Sequence, residues 1–317
     1  MIEIITGFFQ NSGQNNALDE CVLAGRIDTA GGLELDLAVL SELITSEGKH
    51  LQLPQLAVDS IIAYIQQSPD KNVAAVLYRA AQHANQIVHR ETKDKQSDVA
   101  CSLIVAAVHN GQTLYIANIG GSRAYLVRKT KITQLTIEHT FARMMPVQGK
   151  IGLEAAFSSK EAGNLVLSVG PKDQVPIDIG FHSFDTFDKD SYLSAQDRGR
   201  QGLPLEPGDA IVLTANFLNL LDESVITPQA IFEILSDNTG DDAAEAIAFS
   251  AEKKQPGLVP AVALLQTDAL PLAPADNLKP IGILSRPAFI ISSIAVLIFL
   301  FCSIILFLGL RYMQLTG

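Results

Sequence analysis

Cysteine is scarce in this chain. Cys21, Cys101 and Cys302 stand far apart among 317 residues, so neither a disulfide framework nor a thiolate zinc site can be read from them. Basic residues are outnumbered as well, 23 against 34 acidic ones, for a formal net charge of −11 at pH 7. That balance argues against nucleic acid as a partner and against docking on anionic lipid through the folded part itself. Met1–Gly13 lacks a basic n-region, a sufficient apolar stretch and a small-residue cleavage site. It does not read as a secretory signal, and the N-terminal domain is expected on the cytoplasmic side.

Charge is missing altogether from Pro287–Leu310, PAFIISSIAVLIFLFCSIILFLGL. At about 1.5 Å per residue this run covers roughly 35 Å as a helix, enough for the ~30 Å hydrocarbon core of a bilayer. A single membrane-spanning helix is therefore expected over 287–310, with 311–317 as a short tail. Lys279 and Arg286 before the span against Arg311 after it agree with a cytoplasmic domain. Thr267–Arg286 holds three prolines and no helical or strand period, so 267–286 reads as a linker. Residues 1–266 remain for the folded part, ample for a sizeable core.

Within it, Leu33–Leu40 reads as a strand entering a core. Pro54 opens an amphipathic helix with Leu56, Ile61, Ile62 and Ile65 near one face, and Asn72–His89 supplies a second. Ser102–His109, Thr113–Ile119 and Arg123–Arg128 read as three successive strands, with Asn110-Gly111 and Gly120-Gly121-Ser122 as hairpin turns. Phe181–Gly202 shows little pattern and is expected to be a long loop. Leu205–Thr214 is a turn plus strand, Thr227-Pro228 caps a helix, Asp242 and Glu245 cap another, and Val259–Gln266 is the last strand.

Three stretches resemble the metal-dependent serine/threonine phosphatases of the 2C (PPM) type. Residues 77–142 contain ACSLIVAAVHNGQTLYIANIGGSRAYLVRKTKITQLTIEHTFA, similar to the strands carrying GTTL and GDSR and to the LTxDHT that follows. Residues 203–221, LPLEPGDAIVLTANFLNLL, are similar to LxPGDxLLLCSDGLxxxL, and GLVPAVALL at 257–265 stands in the place of DNITVVVV. The resemblance implies an α+β fold, a β-sandwich of two sheets flanked by helices. It also implies a two-ion Mg²⁺ or Mn²⁺ centre held by carboxylates from NED, ADG, SDG and DN segments.

The chain departs from the pattern where those carboxylates belong. The ADG position falls on Ser41 and Glu42, the SDG position on Asn216 and Phe217, and the DN position on Leu258 and Val259. Asn15–Leu18 sits where NNED would, although a slipped alignment brings Asp19 or Glu20 into the place. The family's phosphate-gripping arginine upstream of NED has no counterpart, since the first arginine is Arg26. Hard cations need converging oxygen ligands, and two ions need several. The departures read as a pseudophosphatase without a cofactor, a membrane-anchored binding or regulatory module with a protein partner in phospho-signalling. The alternative is a residual metal-dependent phosphatase using Mg²⁺ or Mn²⁺ on Asp19, Glu20, Asp36 or Asn216.

Other polar clusters read as structural. Gly120, Gly121, Ser122 and Arg123 suit a turn better than a phosphate loop. Glu138-His139-Thr140 suggests a hydrogen-bonded histidine rather than an acid/base pair. Asp185, Asp188 and Asp190 resemble part of a calcium loop but lack its glycine and terminal glutamate, leaving a solvated loop.

Overall fold

The computed structural model describes residues 3–10, 19–44, 52–94, 99–129, 131–182, 186, 188–215, 226–252 and 260–267. The chain divides into two units, Met1–Leu272 and Ala273–Gly317, and every described residue belongs to the first. Thr267, expected to open the linker, instead closes the last strand, while residues 268–286 and the 287–310 span lie outside the described residues. Among the described residues no helix is long and apolar enough to cross a membrane.

Two five-stranded antiparallel sheets stack face to face. One has the order β1 (Ile4–Phe9), β10 (Val262–Thr267), β9 (Ala210–Thr214), β6 (Arg123–Arg128), β7 (Lys131–Gln134). The other has β2 (Glu20–Asp28), β3 (Glu34–Leu43), β4 (Cys101–His109), β5 (Thr113–Ile119), β8 (Leu203–Pro204). Strand alternation divides the second sheet cleanly. Val22, Ala38, Leu40, Ile104 and Ala106 meet Ala124, Leu213, Ala263 and Leu265 of the first sheet between the layers. The alternate residues Leu37, Val39, Leu103 and Val105 face outward onto helices α1 (Leu53–Gln67) and α2 (Val73–Asp94). On the far side Tyr125, Val212 and Leu264 of the first sheet pack on α6 (Pro228–Asp237) and α7 (Gly240–Glu252). The result is the α+β sandwich implied by the resemblance.

Two expectations change. Gly120-Gly121-Ser122 is not a hairpin: β5 and β6 belong to different sheets, and the turn carries the chain from one to the other. Gly120, at φ 108°, allows that sharp exit, and a Cβ there would stand 2.4 Å from Ser102 Oγ. The long loop expected over Phe181–Gly202 contains α5 (Lys189–Gln201), preceded by the short helices α3 (Phe141–Val147) and α4 (Leu153–Phe157). Asp188, set aside as a loop residue, is the α5 N-cap, and its carboxylate accepts from the backbone N–H groups of Asp190 and Ser191. The helix escapes hydropathy because it buries only Ala195, Gln196 and Gly199.

Strand β1 lies so close to the start of α7 that a Cβ on Gly7 would sit 2.0 Å from the Gly240 carbonyl carbon, whereas one on Gly25 of β2 would meet nothing within 4 Å. Gly7→Ala is expected to destabilise the domain by about 1–3 kcal/mol in urea unfolding, with Gly25→Ala near neutral. Equal effects of the two substitutions would contradict the close approach.

Candidate functional site

The apolar filling between the sheets stops where β2 begins and β3 ends, and there the register places Glu20 opposite Glu42. Both continue the row of Val22 and Leu40, so both carboxylates point between the sheets. Each also reaches the other sheet. Glu20 Oε2 accepts from the backbone N–H of Ala261 at 2.9 Å, beside the start of β10, and Glu42 Oε1 accepts from Ser122 Oγ at 3.0 Å, beside the start of β6. Glu20 Oε1 is buried without a hydrogen-bond partner. Burial pushes the Glu20 carboxyl up to about 7, the Ala261 N–H opposes this, and the charges of Glu42 and Asp19 push the same way.

Ser41 points to the other face of the sheet. Its hydroxyl donates to the Ser102 carbonyl at 2.8 Å, and Ser102 Oγ accepts from the Gly121 N–H at 2.8 Å. Gly121 and Ser122 are thus tied to β4 and β3 by hydrogen bonds, and Gly120 to His139, a structural role. Arg123 next to them forms an ion pair with Glu138. Asp36 does not join the group: it pairs with Arg26 at 2.9 Å, and six residues of extended strand, roughly 20 Å, separate it from Glu42. Asn216, Phe217, Leu258 and Val259 lie outside the described residues. Ala215 and Ala261, which border those segments, are buried.

These residues do not fit a pair of hard cations. The side chain at the aspartate of ADG is a hydroxyl turned to a carbonyl, and Glu42 is engaged by Ser122. Among the described residues no group of three or more His, Cys, Asp or Glu side chains is placed to hold a metal ion. What the cleft offers a cation is the orphaned oxygen of Glu20, with Asp19 and Glu42 close enough to raise its pKa.

A second polar centre was anticipated in the sequence only through His139. Asp178, fully enclosed, accepts from His182 Nε2 at 2.8 Å, His139 Nε2 at 3.2 Å and the Gly180 N–H at 2.8 Å, and Gln196 of α5 donates to it as well. His139 Nδ1 accepts from the Gly120 N–H at 3.0 Å, which leaves the proton on Nε2 for Asp178. Burial alone would raise the Asp178 carboxyl, but His182 and His139 hold it far below the usual carboxylate range. One aspartate therefore fastens α5, residues 177–182 and the Gly120 turn together. Glu138-His139-Thr140 pointed to a hydrogen-bonded histidine, while Asp178 and His182 carried no motif spacing.

Glu20 gives the cleft a pH signature. Its folded pKa is raised, so its contribution favours folding most below the unfolded value and is lost as pH rises through about 7. Glu20→Gln keeps an acceptor for Ala261 and removes the ionisation. Its stability relative to the native chain should rise by about 3 kcal/mol between about pH 4 and about pH 8 in denaturant unfolding. A pH-independent difference would contradict this placement.

The geometry agrees with what the chain is similar to. Residues 32–144 match the family model for Protein phosphatase 2C. Protein phosphatase PhpP of Streptococcus pneumoniae is 30% identical over 97 residues, 30% of this chain and 39% of PhpP. Serine/threonine phosphatase stp of Listeria welshimeri is 26% identical over 102 residues, 32% of this chain and 40% of stp. The match thus spans about two fifths of the length of these curated relatives. The serine/threonine phosphatase of S. agalactiae superposes with a TM-score of 0.60 at 15% identity, over 85% of this chain and 100% of that one. The catalytic domain of the phosphatase PstP, in complex with two manganese ions, gives 0.59 at 17% identity, over 84% and 100%. That neighbour overturns the expectation of no cofactor, since the shared fold is seen there holding metal. Residues 32–144 of this chain are thus similar to protein phosphatase 2C, and the described residues share the fold of the serine/threonine phosphatases.

Proposed function

We propose that this chain is a membrane-tethered phosphatase 2C-type module that recognises phosphorylated serine or threonine segments of a protein partner and regulates phospho-signalling, with a cation site reduced from the two-ion arrangement. The reading rests on the fate of the ADG position. Ser41 and Glu42 spend their polar atoms on the Ser102 carbonyl and the Ser122 hydroxyl, where a two-ion hydrolase needs carboxylates facing the metals. The uncharged run 287–310 supports the tether, with the domain cytoplasmic, and similarity to serine/threonine phosphatases supports the class of partner.

Glu20 favours a second reading, a residual metal-dependent phosphatase. Its unpaired oxygen, with Asp19 and Glu42 nearby, is a hard-oxygen environment suited to one Mg²⁺ or Mn²⁺. A bound ion would neutralise phosphoryl oxygens; this chain's part would be to hold it through Glu20 and to fix Glu42 through Ser122.

The full chain, expressed in cells, should sediment with membranes. Purified in detergent, it should bind a phosphothreonine peptide with Mn²⁺ present and hydrolyse it at least about a hundredfold more slowly than a two-ion relative assayed alongside. Turnover matching the relative, abolished by EDTA, would replace the regulatory reading with the enzymatic one. Recovery in the soluble fraction would remove the tether.

A further inference from the structure

Each sheet of the sandwich has two edge strands, and an edge strand presents backbone N–H and C=O groups that no neighbouring strand meets. Three of these edges are covered or short. The outer N–H of Phe8 on β1 goes to the Asp241 carboxylate at 2.8 Å, and the start of α7 lies close against that strand. β7 offers four residues and β8 only two. β2 is different: it runs for nine residues, and its parity is fixed at both ends. The Thr29 N–H bonds to the Leu33 carbonyl and the Leu43 N–H to the Asp19 carbonyl, so the odd-numbered residues direct their backbone groups to β3. Glu20, Val22, Ala24, Arg26 and Asp28 therefore turn theirs outward.

The first outward groups show what this edge accepts. The Gln10 carboxamide donates to the Glu20 carbonyl at 2.8 Å and accepts from the Val22 N–H at 3.3 Å, the pair of groups that the backbone of an adjacent strand would take. Gln10 reaches no further. Among the described residues nothing hydrogen-bonds the outward N–H and C=O groups of Ala24, Arg26 and Asp28. Ala24 is small, and a Cβ on Gly25 beside it would meet nothing within 4 Å, so the approach is open. Charge selects the occupant. Arg26 and Asp28 stand opposite Asp36 and Glu34 of β3, which puts three carboxylates and one guanidinium on one face of the hairpin, and Asp36 already engages that guanidinium at 2.9 Å. Glu3 adds to the negative field around Arg26. A second copy of a chain with net charge −11 would set like charges against each other, whereas a basic segment is attracted.

We propose that the free edge of β2 over Ala24–Asp28 docks an extended, basic segment of a protein partner, which adds a strand to the sheet through main-chain hydrogen bonds and sets lysine or arginine side chains against Asp28, Glu34 and Asp36. Main-chain bonds supply the affinity and the acidic face supplies the selection. The docking stretch begins four residues along β2 from Glu20, roughly 13 Å away, so a docked segment leaves the mouth of the sheets open. The proposal goes beyond recognition of phosphorylated residues and depends neither on a cation nor on the tether.

Calorimetry and amide hydrogen exchange on the full chain in a neutral detergent, with EDTA and at fixed ionic strength, test it with two probes. One is a short capped peptide of alternating lysine and valine; the other is the same peptide N-methylated at every amide, which keeps the charge and loses every donor. Saturable binding of the first is expected, with slower exchange at the Ala24, Arg26 and Asp28 amides, and binding of the second at least about tenfold weaker. Ala24→Pro removes only an outward N–H, which an edge strand tolerates, and should weaken binding at least about fivefold with little change in melting temperature. Should Ala24→Pro not fold, the methylated peptide and the exchange pattern of the native chain carry the test. Absence of binding, equal binding of the two peptides, or slowed exchange confined to other strands would overturn the proposal. So would a dimer in light scattering that Ala24→Pro converts to monomer, because a second copy would then hold the edge. Neither peptide carries phosphate and EDTA removes divalent ions, so failure here and failure of the cation-dependent function remain distinguishable.

Discussion

Glu20 and Glu42 face each other across β2 and β3, and each reaches over to the opposite sheet, one to the Ala261 N–H and one to the Ser122 hydroxyl. The chemistry of the cleft depends on this pair of contacts. Two ionised carboxylates about 5 Å apart repel by roughly 3 kcal/mol at an effective dielectric of about 20. Burial of Glu20 adds a larger penalty, so Glu20 keeps its proton well above the usual carboxylate range and gives it up only as pH rises through about 7. A cation would relieve the same strain. The end of the sandwich is therefore held together by groups that are also the natural place for a positive charge.

The second polar centre is of the opposite kind. Asp178 is satisfied from several sides, by two histidines, a backbone N–H and Gln196. A buried carboxylate so surrounded keeps its charge and fixes its neighbours. It joins α5 and residues 177–182 to His139, and through His139 to Gly120, whose turn carries Ser122 toward Glu42 and Arg123 toward Glu138. Adjacent residues of one inter-sheet turn thus reach two different carboxylates, Glu42 and Glu138.

Much of the sandwich was legible in the sequence because its strands alternate or run apolar and its two long helices are amphipathic. Leu33–Leu40, Ser102–His109 and Thr113–Ile119 all fall on β3, β4 and β5. The Gly120 turn misled because a glycine pair between two strands looks alike whether the strands pair or part into separate sheets; only the contact with Ser102 distinguishes them. Helix α5 was hidden by its polarity, although Asp188 followed by Ser191 held its capping signal. At the site, Ser41 and Glu42 were legible as departures from ADG, but a departure tells which ligand is missing and not where its replacement points. That Ser41 faces the helices and Glu42 the cleft follows from strand parity, which needed the register with β2. The same register places Glu20 at the mouth and leaves Asp36, a residue of equal chemical promise, at the far end beside Arg26.

The most direct measurement is the stoichiometry of Mn²⁺ binding to the full chain by calorimetry near neutral pH. A single site that Glu20→Gln removes, with about half a proton released per ion near pH 7 and a release approaching one proton toward about pH 6 because the ion displaces the proton held by Glu20, is the expected result. Two ions per chain, or one ion whose binding is indifferent to Glu20, would contradict a cleft built around one strained carboxylate.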